Sequence, residues 1–116
     1  EGALLVINKV KELSRNYPVI VTGDFNAVPA DDPIQVLTNS PEGYSLTDTR
    51  SVSPLVYGPN WSFHDFGRVK MSDRSRIESI SITGNIKVLR SGVLTDMLNT
   101  LYPSDHCPVL STLIIQ

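Results

Sequence analysis

The stretch Val19-Ile20-Val21-Thr22-Gly23-Asp24-Phe25-Asn26 sets four β-branched residues directly before Gly-Asp-Phe-Asn. Such a run predicts a short strand, Val19 to Thr22, buried on both faces and closed by Gly23. Asp24 and Asn26 are then delivered where the strand ends and the chain turns outward, the place at which α/β proteins put their chemistry. Working outward, Ala3, Val6, Val10 and Leu13 recur at helical spacing, with Lys9, Lys11, Glu12 and Arg15 largely outside that stripe. An amphipathic helix ending near Asn16 is therefore expected before the strand, stopped by Pro18. After a loop through Pro29, Asp32 as a capping carboxylate before Pro33 predicts a short helix from Pro33 to Asn39.

The remainder predicts mainly strands. Ser40 to Gly67 is rich in Pro, Gly and Ser and reads mostly as surface loop, with Tyr44-Ser45-Leu46-Thr47 and Ser62-Phe63 as short extended pieces. From Arg76 the pattern is extended, with Glu78, Ile80 and Ile82 on one face and Ile77, Ser79 and Ser81 on the other. Gly84-Asn85 makes a turn. Strands follow at Ile86 to Leu94 and Val109 to Ile115, joined by a connection holding Leu98, Leu101 and Pro103. The fold class is α/β, a mixed sheet with helices on one face. These helices are too few to cover both faces, so a further half or a second copy is expected on the other.

At 116 residues with 41% hydrophobic content, the chain fits one domain, residues 1–116, with a modest core. No run approaches the roughly 18 apolar residues that would cross a bilayer. Glu1-Gly2-Ala3 opens without Met and already inside a helix, so upstream sequence is expected to be missing. The lone Cys107 excludes an internal disulfide and leaves the compartment open. Ten Lys and Arg against 12 Asp and Glu give a net charge of −2, so no overall basic field draws in nucleic acid. A bound divalent cation would supply local positive charge outside that count.

Two motifs carry chemistry. Asp24 offers a carboxylate to orient or deprotonate water, and Asn26 an uncharged donor for a phosphoryl oxygen. Taken alone, the same residues fit an Asx turn that merely caps backbone amides. Near the end, Ser104-Asp105-His106-Cys107-Pro108-Val109 precedes the last strand. Neighbouring side chains in an extended segment diverge, so Asp105 and His106 need not pair and could serve a metal and a phosphate separately. An ordinary loop histidine is the plainer alternative. Contiguity argues against a Ser-His-Asp relay, which is assembled from separated positions.

Together the two motifs resemble those of the endonuclease/exonuclease/phosphatase family. Trp61-Ser62-Phe63-His64 with Phe66 is similar to that family's aromatic loop, and Arg76-Ile77-Glu78 lies where the family usually carries Arg-Ile-Asp. The resemblance covers essentially the whole chain and implies the C-terminal half of a DNase I-like four-layer α/β sandwich. It also implies metal-dependent hydrolysis of a phosphate ester, with Mg²⁺ or Mn²⁺. Asp24 would position or activate water, Asn26 would hold the scissile phosphate, His106 would bind or protonate it, and Asp105 would stand near the metal. His64 is a candidate substrate contact.

Two departures bear on activity. The family's His-orienting Asp is Glu78 here, and the aromatic that commonly follows is Ser79. The family's metal-binding Glu, an early Asn and another catalytic His lie in the N-terminal half, so the chain alone is expected to be inactive. A non-catalytic binding or scaffold member of the same fold is the alternative. In isolation, an uncovered sheet face predicts self-association into a homodimer.

Overall fold

A computed structural model describes residues 1–40 and 44–116; residues 41–43, part of the loop expected from Ser40 to Gly67, lie outside the described residues. The elements are α1 (Gly2–Ser14), β1 (Ile20–Asp24), α2 (Asp32–Thr38), β2 (Thr47–Asp48), α3 (Thr49–Val52), β3 (Val56–Tyr57), a 3-10 turn (Met71–Asp73), β4 (Glu78–Ile82), β5 (Ile86–Val93) and β6 (Val109–Ile115).

α1 stops where Arg15 and Asn16 take left-handed backbone angles, φ 45° and 72°. Its inward row is Ala3, Val6, Ile7 and Val10, with Ser14 buried at the end. Leu13, placed on the expected stripe, is 71% exposed. The row through Ile7 reaches Ser14 seven residues on, which turns Leu13 to the side. α2 begins one residue earlier than expected. Asp31 is the N-cap and Asp32 the first helical residue, and Asp31 Oδ2 accepts from the Val28 amide at 2.9 Å. Both helices pack on the side of β1 that carries Val21, around Ile7, Ala27, Ile34, Leu37 and Leu46.

The strands form two three-stranded sheets, β1-β4-β2 and β3-β5-β6, in place of the one mixed sheet expected. All pairings are antiparallel except β3 with β5. Among the described residues β1 pairs only with β4, from Ile20 opposite Ile82 to Asp24 opposite Glu78. It is an edge strand, and Ile20, Thr22, Gly23 and Asp24 are exposed, which corrects the expectation of burial on both faces. A β-branched run reports a preference for extended backbone, whereas burial depends on what lies beside the strand.

The described residues of the 40–67 segment are mostly exposed or half-buried, as expected of a surface loop, but a few turn inward. Leu46, Asp48, Thr49, Ser62 and His64 are all buried. Arg76 explains part of this, since its Nη2 meets Asp48 Oδ2 at 2.6 Å and its Nε donates to Asn60 Oδ1 at 3.1 Å. Hydroxyls tie α3 to the second sheet, with Thr49 Oγ1 and Ser111 Oγ 2.7 Å apart, and link β6 to β5 within it, with Ser111 donating to Ser91 Oγ at 3.3 Å.

Candidate active site

Pairing of Asp24 with Glu78 places both side chains on one face of the first sheet, at the end where β1 leaves and β4 enters. His106 arrives from the segment before β6, held by a bridge to Phe63. Its Nδ1 meets Glu78 Oε1 directly. One ligand atom from each of Asp24, Glu78 and His106 lies within 4.8 Å of the others. The sequence separates these residues widely, and the sheet register brings them together.

Asp24 Oδ1 also accepts from the Asn26 amide at 2.9 Å, and Asn26 sits at φ 49°. The Asx turn that the sequence left open is therefore present. It coexists with the cluster, because it occupies one carboxylate oxygen and leaves the exposed Asn26 side chain outside. Glu78 Oε2 is buried with no hydrogen-bond partner among the described residues. Beside a second, exposed carboxylate, such an oxygen suits a hard divalent cation, which takes oxygen ligands and fills the rest of its shell with water. Asp24 and Glu78 would hold that ion.

Asp105 stands outside the cluster. Its Oδ1 accepts from Ser104 Oγ at 3.3 Å, and its backbone carbonyl accepts from the amides of His64 and Asp65 at 3.1 Å. His64, the candidate substrate contact, is 0% exposed in this chain. Its ring packs against Tyr102 with centroids 3.9 Å apart, edge-on to Trp61, and its Nδ1 accepts from the Gly67 amide at 3.1 Å. Burial, then the Arg74 cation, pushes its pKa below the ordinary value. Phe63 lies on the His106 ring, centroids 4.9 Å apart, and Arg74 covers the Trp61 ring at 4.4 Å, so both aromatics serve as packing. Cys107 is buried and its thiol pKa is raised by burial, as for a small inert hydrophobe.

Ser62, 0% exposed at the centre of this region, and the Arg76 to Asp48 pair are not among the site residues expected from the sequence. The pair had a signal in Arg76 itself, a cation at the mouth of an apolar strand; a lone serine between aromatics has none.

No protein-family model and no curated protein matches this sequence. Solved structures do. An endonuclease/exonuclease/phosphatase from Bacteroides vulgatus superposes with TM-score 0.89 at 32% identity, over 98% of this chain and 42% of that one. A mannosyl-6-phosphatase from Bacteroides thetaiotaomicron gives 0.83 at 34%, over 97% and 44%. An endonuclease/exonuclease/phosphatase family protein from the same organism gives 0.85 at 33%, over 98% and 43%. The chain thus spans about two fifths of the length of the structures it matches. With its paired sheets and outer helices it reproduces one half of their DNase I-like fold, and it belongs to the endonuclease/exonuclease/phosphatase family.

Proposed function

We propose that this chain supplies Asp24, Asn26, Glu78 and His106 to a metal-dependent hydrolysis of a phosphate ester, in a longer protein whose other half completes the site. The observation that carries this reading is the contact of Glu78 with His106 beside Asp24. Asp24 orients and deprotonates the attacking water. Asn26 holds a phosphoryl oxygen from its exposed left-handed turn. Glu78 accepts from Nδ1 of His106, which fixes the other ring nitrogen to face the phosphate or the leaving oxygen. Bound Mg²⁺ or Mn²⁺ would neutralise charge developing on the phosphoryl oxygens. Asp105 stands next to His106 and is the residue from which a further ligand to such an ion would come.

The Glu78 contact supports the catalytic reading over a non-catalytic one, since the longer carboxylate still reaches the imidazole. A sugar phosphomonoester is the first substrate class to try, given the 34% identity to a mannosyl-6-phosphatase. The chain by itself is proposed to be inactive and to self-associate.

The test is hydrolysis of a sugar phosphomonoester and of a generic phosphodiester by the longer protein, with Mg²⁺, Mn²⁺ or chelator, beside His106→Ala. Metal-dependent turnover that falls at least about a hundredfold in His106→Ala is expected. No turnover of either ester with either metal moves the assignment to a binding module.

A further inference from the structure

Every member of the Asp24, Glu78 and His106 cluster is followed or preceded by a residue whose backbone is tied, directly or through one step, to Ser62. The Ser62 hydroxyl accepts from the Ile77 amide at 3.1 Å, immediately before Glu78. Its carbonyl accepts from the Cys107 amide at 2.7 Å, immediately after His106. Its own amide donates to the Ser75 carbonyl at 3.0 Å, and the Ile77 carbonyl in turn accepts from the Phe25 amide at 2.9 Å, immediately after Asp24. The residue is 0% exposed, so water does not compete for these bonds.

We infer that Ser62 is the positioning residue of the site: its hydroxyl sets the register between the segment carrying Glu78 and the segment carrying His106, and so holds the imidazole on the carboxylate. The inference rests on the catalytic reading for its significance and on the hydrogen bonds above for its content. The hydroxyl is the critical part. Ile77 precedes β4, and its amide is satisfied by a side chain, so this one bond can be deleted without removing a ladder bond. The two backbone bonds of Ser62 survive any substitution other than proline. Phe63, next in sequence, lies on the His106 ring and limits where the ring goes once the register is set.

A carboxylate on Nδ1 fixes the tautomer with the proton at Nδ1, whereas a free neutral imidazole prefers the proton at Nε2. The experiment reads that tautomer from the ring nitrogen resonances of His106 in this chain, at about pH 9, where an ordinary imidazole is neutral. Four proteins are compared: wild type, Ser62→Ala, Ser62→Cys, which keeps the volume with a weaker acceptor, and Ile34→Val, which loosens the helix core elsewhere. Wild type and Ile34→Val are expected to hold the Nδ1–H form. Ser62→Ala is expected to lose it to the Nε2–H form, with Ser62→Cys partly switched, so that the assignment stays testable if the alanine variant does not fold. A Ser62→Cys protein that keeps the wild-type tautomer, an Ile34→Val protein that loses it, or a wild type in the Nε2–H form each overturns the assignment. The measurement uses neither substrate nor metal, so absent hydrolysis would count against the catalytic reading alone.

Discussion

Glu78 carries one methylene more than the aspartate usual at its position, and the structure uses that length, since the carboxylate spans from the first residue of β4 to Nδ1 of His106. Shortening it in this backbone withdraws the carboxylate by about 1 Å, so Glu78→Asp is expected to lower the turnover of the longer protein by on the order of a hundredfold. A gain in Glu78→Asp would show that the longer side chain is a handicap after all. His64 gives a second expectation, on pH. Its folded-state pKa lies below the ordinary 6.5, so protonation favours the unfolded chain. The stability contributed by the neutral ring is full above about pH 6.5 and is lost as pH falls from there toward the depressed folded value. Midpoints of chemical unfolding should therefore drop below pH 6.5 in wild type and drop less in His64→Gln. Asp24 and His106 were legible in the sequence because each stands in a contiguous motif. The burial of His64 was not, because it depends on Tyr102 and Trp61 closing over a segment whose own composition reads as loop.

Among the elements, the parallel pair of β3 with β5 depends on two close approaches. Gly58, just past β3, has φ 75°, and a Cβ there would lie 2.1 Å from the Val93 carbonyl oxygen at the end of β5. At Gly92 an added Cβ would lie 2.2 Å from the Tyr57 ring. Gly58→Ala meets rigid backbone as well as a left-handed angle and is expected to cost at least about 1 to 3 kcal/mol in unfolding free energy. Gly92→Ala meets a ring that can rotate away and should cost less; the reverse order would place the constraint in the ring. Arg76 ties the start of β4 to the end of β2 through Asp48 at 2.6 Å, both side chains nearly buried. Arg76→Ala removes the guanidinium paired with the nearly buried Asp48 carboxylate, leaving it the Arg50 amide, and is expected to cost about 3 kcal/mol, measured by denaturant unfolding. The strands β4, β5 and β6 and the helix α1 were legible to within a residue or two because their patterns are long. The split into two sheets was not, because it is a matter of which strands pair, such as β1 with β4 from Ile20 opposite Ile82, and the pattern of a single strand does not name its partner.

The whole molecule is flat, with extents of 47 × 31 × 19 Å and a radius of gyration of 15.0 Å, against about 13 Å for a compact domain of this length. Its accessible surface is 7197 Å², where a folded monomer of this mass has about 6,300 Å². β1 and β6 both end their sheets, and both carry exposed apolar side chains: Ile20 on the first, Leu110, Ile114 and Ile115 on the second. Open apolar edges are templates for pairing with another chain; β6 carries no charge to block it, and β1 carries only Asp24 at its end. The chain alone is therefore expected to be dimeric or larger by light scattering at micromolar concentration, and to bind an apolar-surface dye below saturation of that assembly. A lysine at each edge, Ile20→Lys with Ile114→Lys, should shift the population toward monomer without disturbing Ile7, Leu37 or Leu46, whose core lies beneath the helices. A wild-type monomer that binds no dye would mean that the edges are blunted by their own twist or side chains, and the proposed self-association would fall while the site geometry stood.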